Sequence, residues 1–190
     1  MELWPNFFIV GAPRAGTTSL YEYLKNIPQI YLSKIKEPHY FSKNINPNLL
    51  LSTPIRDKIS YLKLFKNAKN ATAIGDASPS YLWDPDAAKL IYEQCPSAKI
   101  IIILRNPIAR SFSHYLMLVG HGKEKLSFRE AINKAKKIES QDYSGRILQA
   151  GLYYEQVKRY YDNFGKENVG IWFTADLKNK NKRGNVLLEI

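Results

Sequence analysis

The sequence contains a single cysteine, Cys95, among 190 residues. One thiol cannot form an intrachain disulfide, and it cannot build the cysteine cluster of a structural zinc site. The chain also lacks an apolar run of 18 residues, and its first residues, MELWPNFF, lack the basic segment and apolar stretch of a secretion signal. These absences predict a protein of a reducing compartment with no membrane span, and we expect it in the cytoplasm.

Acidic residues are scarce, with 17 Asp and Glu against 28 Lys and Arg, and the formal net charge is +11. Such an excess favours anionic partners, such as a nucleotide cofactor, an acidic glycan, nucleic acid or a lipid surface. Several lysines fall in surface-type runs such as NKAKKIE, so solubility explains the excess equally well. The composition is that of a globular protein, and the length suits one domain with its own core.

Apolar runs of strand length alternate with helical patterns along the chain. Their hydrophobicity is continuous rather than alternating, which is typical of strands buried on both faces in a parallel sheet. The predicted strands cover residues 7–10, 73–75, 99–104 and 169–173. The sequence therefore predicts an α/β fold of three layers, with a central, mostly parallel β-sheet flanked by helices.

The helix boundaries carry recognisable signals. Asp84 with Pro85 is typical of a helix N-terminus, Ser127 with Glu130 forms a capping box, and Gly165 is a stop signal. The predicted helices cover residues 17–25, 86–94, 131–138 and 149–163, and a further helix opens at Pro107. Residues 42–56 contain two prolines and several asparagines, and they predict a long loop.

The segment FFIVGAPRAGTTSL, residues 7–20, has the outline of a phosphate-binding loop but lacks its lysine. Gly11 and Gly16 have the required spacing, and Thr17 stands where the lysine belongs. The loop lies between a predicted strand and a predicted helix, so its backbone N–H groups and the positive helix end favour an anion. Arg14 supplies a cation inside the loop. The alternative is a glycine-rich turn that serves tight packing alone.

A second candidate anion site follows the third predicted strand, in the segment LRNPIARSFSHY. Ligands of open parallel sheets bind beyond the carboxyl ends of the strands, where Arg105 would stand. Ser113 would lie about two turns into the helix that Pro107 opens. A guanidinium beside a hydroxyl suits a second phosphate. The alternative is an arginine that caps a neighbouring helix.

Five segments resemble, in this order, the sulfotransferases that use 3′-phosphoadenosine-5′-phosphosulfate (PAPS): GAPRAGTTSL, KEPHYF, GDASPSYL, ILRNPIARSFSHY and GLYYEQVKRYYDNF. The similarity is greatest to the heparan-sulfate and bacterial carbohydrate branch, and it runs from about Phe7 to Leu177. The glycine loop and the Arg105–Ser113 element are the specific matches. The resemblance implies a P-loop-like nucleotide-binding fold and a single sulfotransferase domain over residues 1–190, without a further carboxyl-terminal segment that relatives have.

The resemblance assigns two groups of residues to the nucleotide. Arg105 and Ser113 would bind its 3′-phosphate, and Tyr153 of the tyrosine-rich segment would contact it as well. The glycine loop would bind the 5′-phosphosulfate through Gly11, Ala12, Pro13, Arg14, Ala15, Gly16, Thr17 and Thr18. PAPS has no β- or γ-phosphate, so a loop lysine would have no partner, and the resemblance implies no required metal. Arg14 stands where relatives most often have lysine.

The KEPHYF segment would supply the acid–base chemistry. By resemblance Glu37 is the base that takes the acceptor's proton, and His39 orients the acceptor hydroxyl. The alternative is that Glu37 only pairs with Lys34 or Lys36. Some relatives carry a lysine at the position of Ala77, a cation that Lys36 or Arg14 would have to replace.

The expected reaction moves a sulfuryl group from PAPS to a hydroxyl or amine of a carbohydrate, lipid or small molecule, and releases 3′-phosphoadenosine 5′-phosphate (PAP). Glycans are among the expected acceptors, nucleic acid is not an expected partner, and the sequence does not indicate an oligomeric state. Trp83 is one of several aromatic candidates for an acceptor contact. Two alternatives stay open: a non-catalytic domain that binds nucleotide or polyanion, and a P-loop kinase with Asp76 as metal ligand.

Overall fold

The structure is a computed structural model that describes residues 2–47, 50, 52–68, 70–137, 145–179, 181–182 and 184. Its strands are β1 (Phe7–Gly11), β2 (Ile30–Leu32), β3 (Ala73–Ala77), β4 (Lys99–Leu104) and β5 (Val169–Phe173). Its helices are α1 (Thr17–Leu24), α2 (Lys58–Lys63), α3 (Ser80–Trp83), α4 (Ala87–Gln94), α5 (Pro107–Gly120), α6 (Phe128–Ala135), α7 (Gly145–Gln149), α8 (Tyr153–Phe164) and α9 (Thr174–Lys178), with a 3₁₀ turn at Lys166–Asn168.

The five strands form one sheet in the order β2-β3-β1-β4-β5, and every paired neighbour in it is parallel. Central β1 places Phe8 opposite Asp76 of β3 and Ile100 of β4. Both β1 and most of β4 are buried, which explains their continuous apolar sequences. The predicted α/β fold with a parallel sheet is confirmed. The sequence did not predict β2, because this strand has three residues and lies half-buried at the sheet edge.

The strand order places three loops at one edge of the sheet. From β1 the chain first builds β2 and β3 on one side, and it then crosses to build β4 and β5 on the other. The loops after β1 and β4 therefore diverge at a topological switch point, where open α/β sheets bind ligands. The loop after β3 lies on the other side of β1. This edge carries the candidate site.

Two predicted helix boundaries are wrong. The predicted N-cap Asp84 instead follows α3, and its buried carboxylate accepts hydrogen bonds from the backbone N–H groups of Asn44 (3.1 Å) and Asp86 (2.9 Å). The predicted helix over 149–163 is interrupted at residues 150–152, and α8 begins only at Tyr153. By contrast, the capping box of Ser127 and Glu130 is present at α6, although the predicted end of that helix lies outside the described residues.

Helices α5, α6 and α7 pack around a small core of their own, formed by Leu118, Ala131 and Ile147. The buried guanidinium of Arg110 joins α5 to α7, because its Nη2 donates to the carbonyl of Ile147 and lies 3.3 Å from that of Arg146. Burial lowers the pKa of Arg110 to about 10, so the group stays charged at neutral pH. This contact fixes the position of α7 beside the candidate site.

Candidate active site

The glycine loop connects β1 to α1. Glycine is needed at its two glycine positions for different physical reasons. A Cβ atom at Gly11 would lie 2.5 Å from the Cβ of Leu82, so the close approach of α3 requires glycine. Gly16 precedes α1 with φ of 101°, a left-handed conformation that favours glycine. The hydroxyl of Thr174 lies within hydrogen-bond distance of the carbonyls of Ala15 (2.5 Å) and Leu104 (3.0 Å). The loop is thereby tied to the ends of β4 and β5.

The structure brings the two predicted anion sites together. Arg14 Nε donates to Ser113 Oγ (3.2 Å), and the Arg14 carbonyl accepts from Arg105 Nη1 (3.0 Å). Tyr153 lies behind this group, where its hydroxyl donates to the Arg105 carbonyl (2.9 Å). Two guanidinium groups and a hydroxyl therefore converge at the carboxyl ends of β1 and β4, an arrangement suited to phosphate-like groups.

A cavity of about 330 Å³ opens beside this group. The predicted residues that line it are Pro13, Arg14, Gly16, Thr17, Thr18, Glu37, His39, Arg105 and Ser113. Gly11, Ala12 and Ala15 are buried and are not among the residues that line the cavity, and neither is Tyr153, whose hydroxyl donates to the Arg105 carbonyl. The carboxylate of Glu37 thus shares one cavity with the cations of the loop and of β4.

Glu37 and His39 lie on a strained turn. Their φ angles are 59° and 53°, and that of Arg14 is 68°. Within the described ranges these three are the only residues other than glycine with positive φ. Left-handed backbone costs such residues roughly 1 kcal/mol or more, and it clusters at functional sites. The sequence predicts Arg14 at the site, and the family resemblance places Glu37 and His39 there.

Glu37 has a different neighbour at each carboxylate oxygen. Lys36 Nζ contacts Oε1, whereas Oε2 lies 3.6 Å from His39 Nε2, too far for a hydrogen bond. The predicted alternative pairing with Lys36 therefore exists, yet Glu37 still lines the cavity. Lys36 is paired in this way and is not among the residues that line the cavity, whereas Arg14 lines it.

His39 is buried, with 2% of its surface exposed. Its Nδ1 lies 2.6 Å from Ser80 Oγ, and its backbone N–H donates to Ser78 Oγ (3.2 Å). Burial, with smaller contributions from the charges of Arg146, Lys36 and Arg56, lowers the pKa of His39 to about 3. The ring is therefore neutral at neutral pH, and its Nε2 has no hydrogen-bond partner among the described residues.

Asp76 anchors a buried network beneath this turn. Its Oδ2 accepts from the hydroxyls of Tyr61 (2.8 Å) and Tyr81 (2.7 Å), and its Oδ1 accepts from Ser78 Oγ (2.8 Å). Burial raises the pKa of Asp76 to about 6, although the three donors act in the opposite direction. Both oxygens are occupied and the side chain is not exposed. Asp76 therefore does not offer the metal ligand that the kinase alternative requires.

Part of the cavity wall is formed by residues that the sequence did not predict. His114 and Arg146 both line the cavity, and the Arg146 guanidinium lies 4.3 Å above the ring of Trp83. The buried face of α5 carries Arg110, Ser111, His114 and Leu118. Polar residues on the buried face of α5 were the available signal for His114.

No helix within the described ranges is long and apolar enough to cross a membrane. In the same part of the chain, no three His, Cys, Asp or Glu side chains come together as a metal site would require.

The parallel sheet and the cation-lined cavity at its switch point define a nucleotide-binding protein of the P-loop-like class. Residues 5–186 match the family described as "Sulfotransferase domain", and the chain therefore belongs to the sulfotransferase family. The resemblance inferred from the sequence is confirmed.

Three similar proteins illustrate the relationship. A sulfotransferase structure from Alicyclobacillus acidocaldarius is 39% identical, with a TM-score of 0.87 over 98% of this chain and 78% of that one. Carbohydrate sulfotransferase 15 from Mus musculus is 29% identical over 86% of this chain and 39% of its own length. Mouse sulfotransferase SULT7A1, solved in complex with PAP, shares the fold at 17% identity and a TM-score of 0.60, over 97% of this chain and 56% of that one. The chain thus spans about two fifths of the length of the carbohydrate sulfotransferase that it matches.

Proposed function

We propose that this chain is a PAPS-dependent sulfotransferase that acts on a hydroxyl or amine of a carbohydrate, lipid or small-molecule acceptor. The observation that carries the proposal is the single cavity lined by Arg14, Arg105, Ser113 and Glu37. Cations for a twice-phosphorylated donor and a carboxylate for an acceptor's proton are both present there. Membership of the sulfotransferase family supports the same reaction.

The donor would occupy the loop side of the cavity. The backbone N–H groups of residues 14, 16 and 17 and the guanidinium of Arg14 suit the 5′-phosphosulfate, and Arg105 with Ser113 suits the 3′-phosphate. Arg14 contacts Ser113 directly, so its side chain would lie between the 5′-phosphosulfate and the 3′-phosphate. The PAP complex of the structurally similar SULT7A1 supports a nucleotide of this kind. We assign no metal to this site.

The acceptor would lie beside Glu37. Its oxygen or nitrogen attacks the sulfur, the bond from sulfur to the bridging phosphate oxygen breaks, and PAP leaves with that oxygen's electron pair. Glu37 takes the acceptor's proton, and Arg14 with the loop amides stabilises the charge on the leaving phosphate. If Ser80 donates to His39 Nδ1, the other ring nitrogen carries the hydrogen and can hold the acceptor oxygen.

Two broader assignments are also proposals. We propose that residues 1–190 act as a single sulfotransferase domain. The lone Cys95, buried and free, fits a reducing compartment, and the cytoplasm is our proposed location.

A Glu37→Gln variant tests the proposal, because it preserves shape and removes the proton acceptor. We expect sulfuryl transfer from radiolabelled PAPS, measured over a panel of sugar, phenol and amine acceptors, to fall by roughly 10²-fold or more. The affinity of the variant for PAP, measured by calorimetry without magnesium, should equal that of the unmutated protein. In both proteins the affinity for PAP should exceed the affinity for Mg·ATP. Glu93→Gln is the matched control, since Glu93 lies on α4 and pairs only weakly with Lys89 (3.9 Å).

Each contrary result has a distinct meaning. Full transfer by Glu37→Gln would remove Glu37 as the base. Binding of PAP without transfer to any acceptor would favour the non-catalytic nucleotide-binding alternative, and tighter binding of Mg·ATP would favour a kinase.

A further inference from the structure

The cavity contains a buried imidazole that the proposed reaction does not use. His114 lies on α5 directly after Ser113, and only 5% of its surface is exposed. Neither of its ring nitrogens has a hydrogen-bond partner among the described residues. Buried polar groups in native proteins are nearly always hydrogen-bonded. Each ring nitrogen has almost no exposed surface, but the ring lines a cavity, and a molecule bound against it there can supply a missing partner.

The charge of the ring restricts what it can bind. Burial, followed by the nearby charges of Arg110, Arg146 and Arg14, lowers the pKa of His114 to about 3. The imidazole is therefore neutral at neutral pH, and it presents one N–H donor and one acceptor nitrogen. Phosphate and sulfate oxygens could use only the donor. A hydroxyl group both donates and accepts, so it can bind at either nitrogen.

The position of His114 assigns it to the acceptor side of the cavity. Ser113 faces Arg14, whereas His114 lies a further 100° around the helix and shares the cavity wall with Met117 of α5 and Arg146 of α7. Arg146 lies close enough to both His39 and His114 to lower the pKa of each. None of the residues that we assign to the donor belongs to α7.

We infer that His114 determines acceptor specificity: its imidazole hydrogen-bonds a second hydroxyl of a polyhydroxylated acceptor while the reacting hydroxyl lies at Glu37. The inference rests on the proposed function and narrows its acceptor class to polyols of the sugar type. The wall that holds this second hydroxyl consists of His114, Met117, Arg146 and Trp83.

The test compares acceptors with one hydroxyl and with several. The probes are methyl β-D-galactoside, its monodeoxy derivatives and 2-phenylethanol, and the variants are His114→Phe, His114→Gln and the control His121→Gln. His121 is exposed at the end of α5 and does not line the cavity. We expect His114→Phe to lower kcat/KM for the galactoside by about tenfold, the effect of one lost hydrogen bond. The same substitution should change 2-phenylethanol transfer and PAP affinity by less than about twofold. For the monodeoxy derivative that lacks the hydroxyl bound by His114, kcat/KM should be the same with and without the substitution.

The conservative variant and a binding measurement separate recognition from general damage. His114→Gln, which keeps a donor and an acceptor, should recover part of the loss. In the PAP complex, the ring NMR signal that disappears in His114→Phe should shift when the galactoside is added and not when 2-phenylethanol is added. The chain has three histidines, so this assignment is direct.

Several outcomes would overturn the inference. Equal losses for both kinds of acceptor, weaker PAP binding by His114→Phe, or no shift of the ring signal with the galactoside would each remove His114 from the acceptor site. If the unmutated protein binds PAP and transfers to no acceptor, the proposed function fails instead. The NMR titration then still decides whether His114 binds the polyol.

Discussion

Single side chains at this site hold one another in place before any ligand binds. Arg105 donates to the Arg14 carbonyl, Arg14 donates to Ser113, and Tyr153 donates to the Arg105 carbonyl. These contacts fix the positions of the two guanidinium groups in advance, which reduces the entropy lost on binding. They also give each residue two separable roles, one toward the ligand and one toward the loop.

An Arg105→Ala variant separates these two roles. We expect the affinity for PAP to fall by roughly 10- to 100-fold, because a charge-assisted partner of the 3′-phosphate is lost. The affinity for adenosine 5′-phosphate, which lacks that phosphate, should change little. Isothermal titration of both nucleotides checks this, with the exposed Arg129→Ala as control. Equal weakening of both nucleotides would show that Arg105 serves only to hold the Arg14 carbonyl.

The sequence predicts the residues whose roles depend on local pattern. The loop with Arg14 follows from its strand, glycine and helix context, and Arg105 with Ser113 follows from the position after a strand. Glu37 depends on the family resemblance, since nothing local distinguishes it from a surface glutamate. Arg146 could not be predicted, because it reaches the cavity only through the packing of α7 on α5.

The turn that carries Glu37 and His39 is held by the end of β3 and the residue that follows it, rather than by its own sequence. The backbone N–H of Glu37 donates to the Ala77 carbonyl (3.1 Å) at the end of β3, and that of His39 donates to Ser78 Oγ (3.2 Å). Ser78 in turn donates to Asp76. A left-handed turn needs such support, because its backbone energy alone disfavours it.

A matched pair of variants tests whether this support matters for turnover. Ser78→Ala and Tyr61→Phe each remove one hydroxyl that donates to Asp76, but only Ser78 also contacts the His39 backbone. We expect both variants to lower the free energy of unfolding by about 1–3 kcal/mol. Only Ser78→Ala should in addition lower kcat by roughly tenfold, with the donor KM unchanged.

Urea unfolding and steady-state kinetics measure the two effects. Equal kcat values for Ser78→Ala and Tyr61→Phe would mean that the network stabilises the fold without positioning Glu37.

The elements themselves were predictable where they are long or capped. Strand β4 and the capped start of α6 follow from the sequence because burial and capping leave clear patterns. Helix α3 has four residues, too few for a periodic pattern, and it was not predicted. The break between α7 and α8 at residues 150–152 was missed as well, since Leu152 and Val157 continue an apolar pattern across it.

At the scale of the whole molecule, four buried titratable groups couple folding to pH in the acidic range. His39 and His114 have pKa values of about 3, below the ordinary value of 6.5, so the unfolded chain binds more protons between these limits. Asp76, with its pKa raised to about 6, has the opposite effect between about pH 4 and 6. Burial also raises the pKa of Asp84, which therefore acts in the same direction as Asp76. The two histidines, whose pKa values are displaced further, outweigh the two aspartates.

We therefore expect the free energy of unfolding to decrease as the pH falls from 7 to 5. The slope of each buried histidine approaches about 1.4 kcal/mol per pH unit below its unfolded pKa. A His114→Gln variant should show a clearly smaller decrease, because one of the two groups is gone. Urea denaturation at pH 7, 6 and 5 provides the measurement. A free energy of unfolding that is constant over this range would contradict the burial of neutral histidines.

The contact of Thr174 with Ala15 joins residues that are 159 positions apart. The site at the glycine loop also requires β4 to pair with β1, because the two strands together form the edge of the sheet where the site lies. Parallel pairing over such sequence separations is slow. The glycine loop is synthesised before β4 and β5, and it gains its contact with their ends only after residue 174 has left the ribosome. We therefore expect a nucleotide bound at this loop to stabilise the fold only once residue 174 has been synthesised.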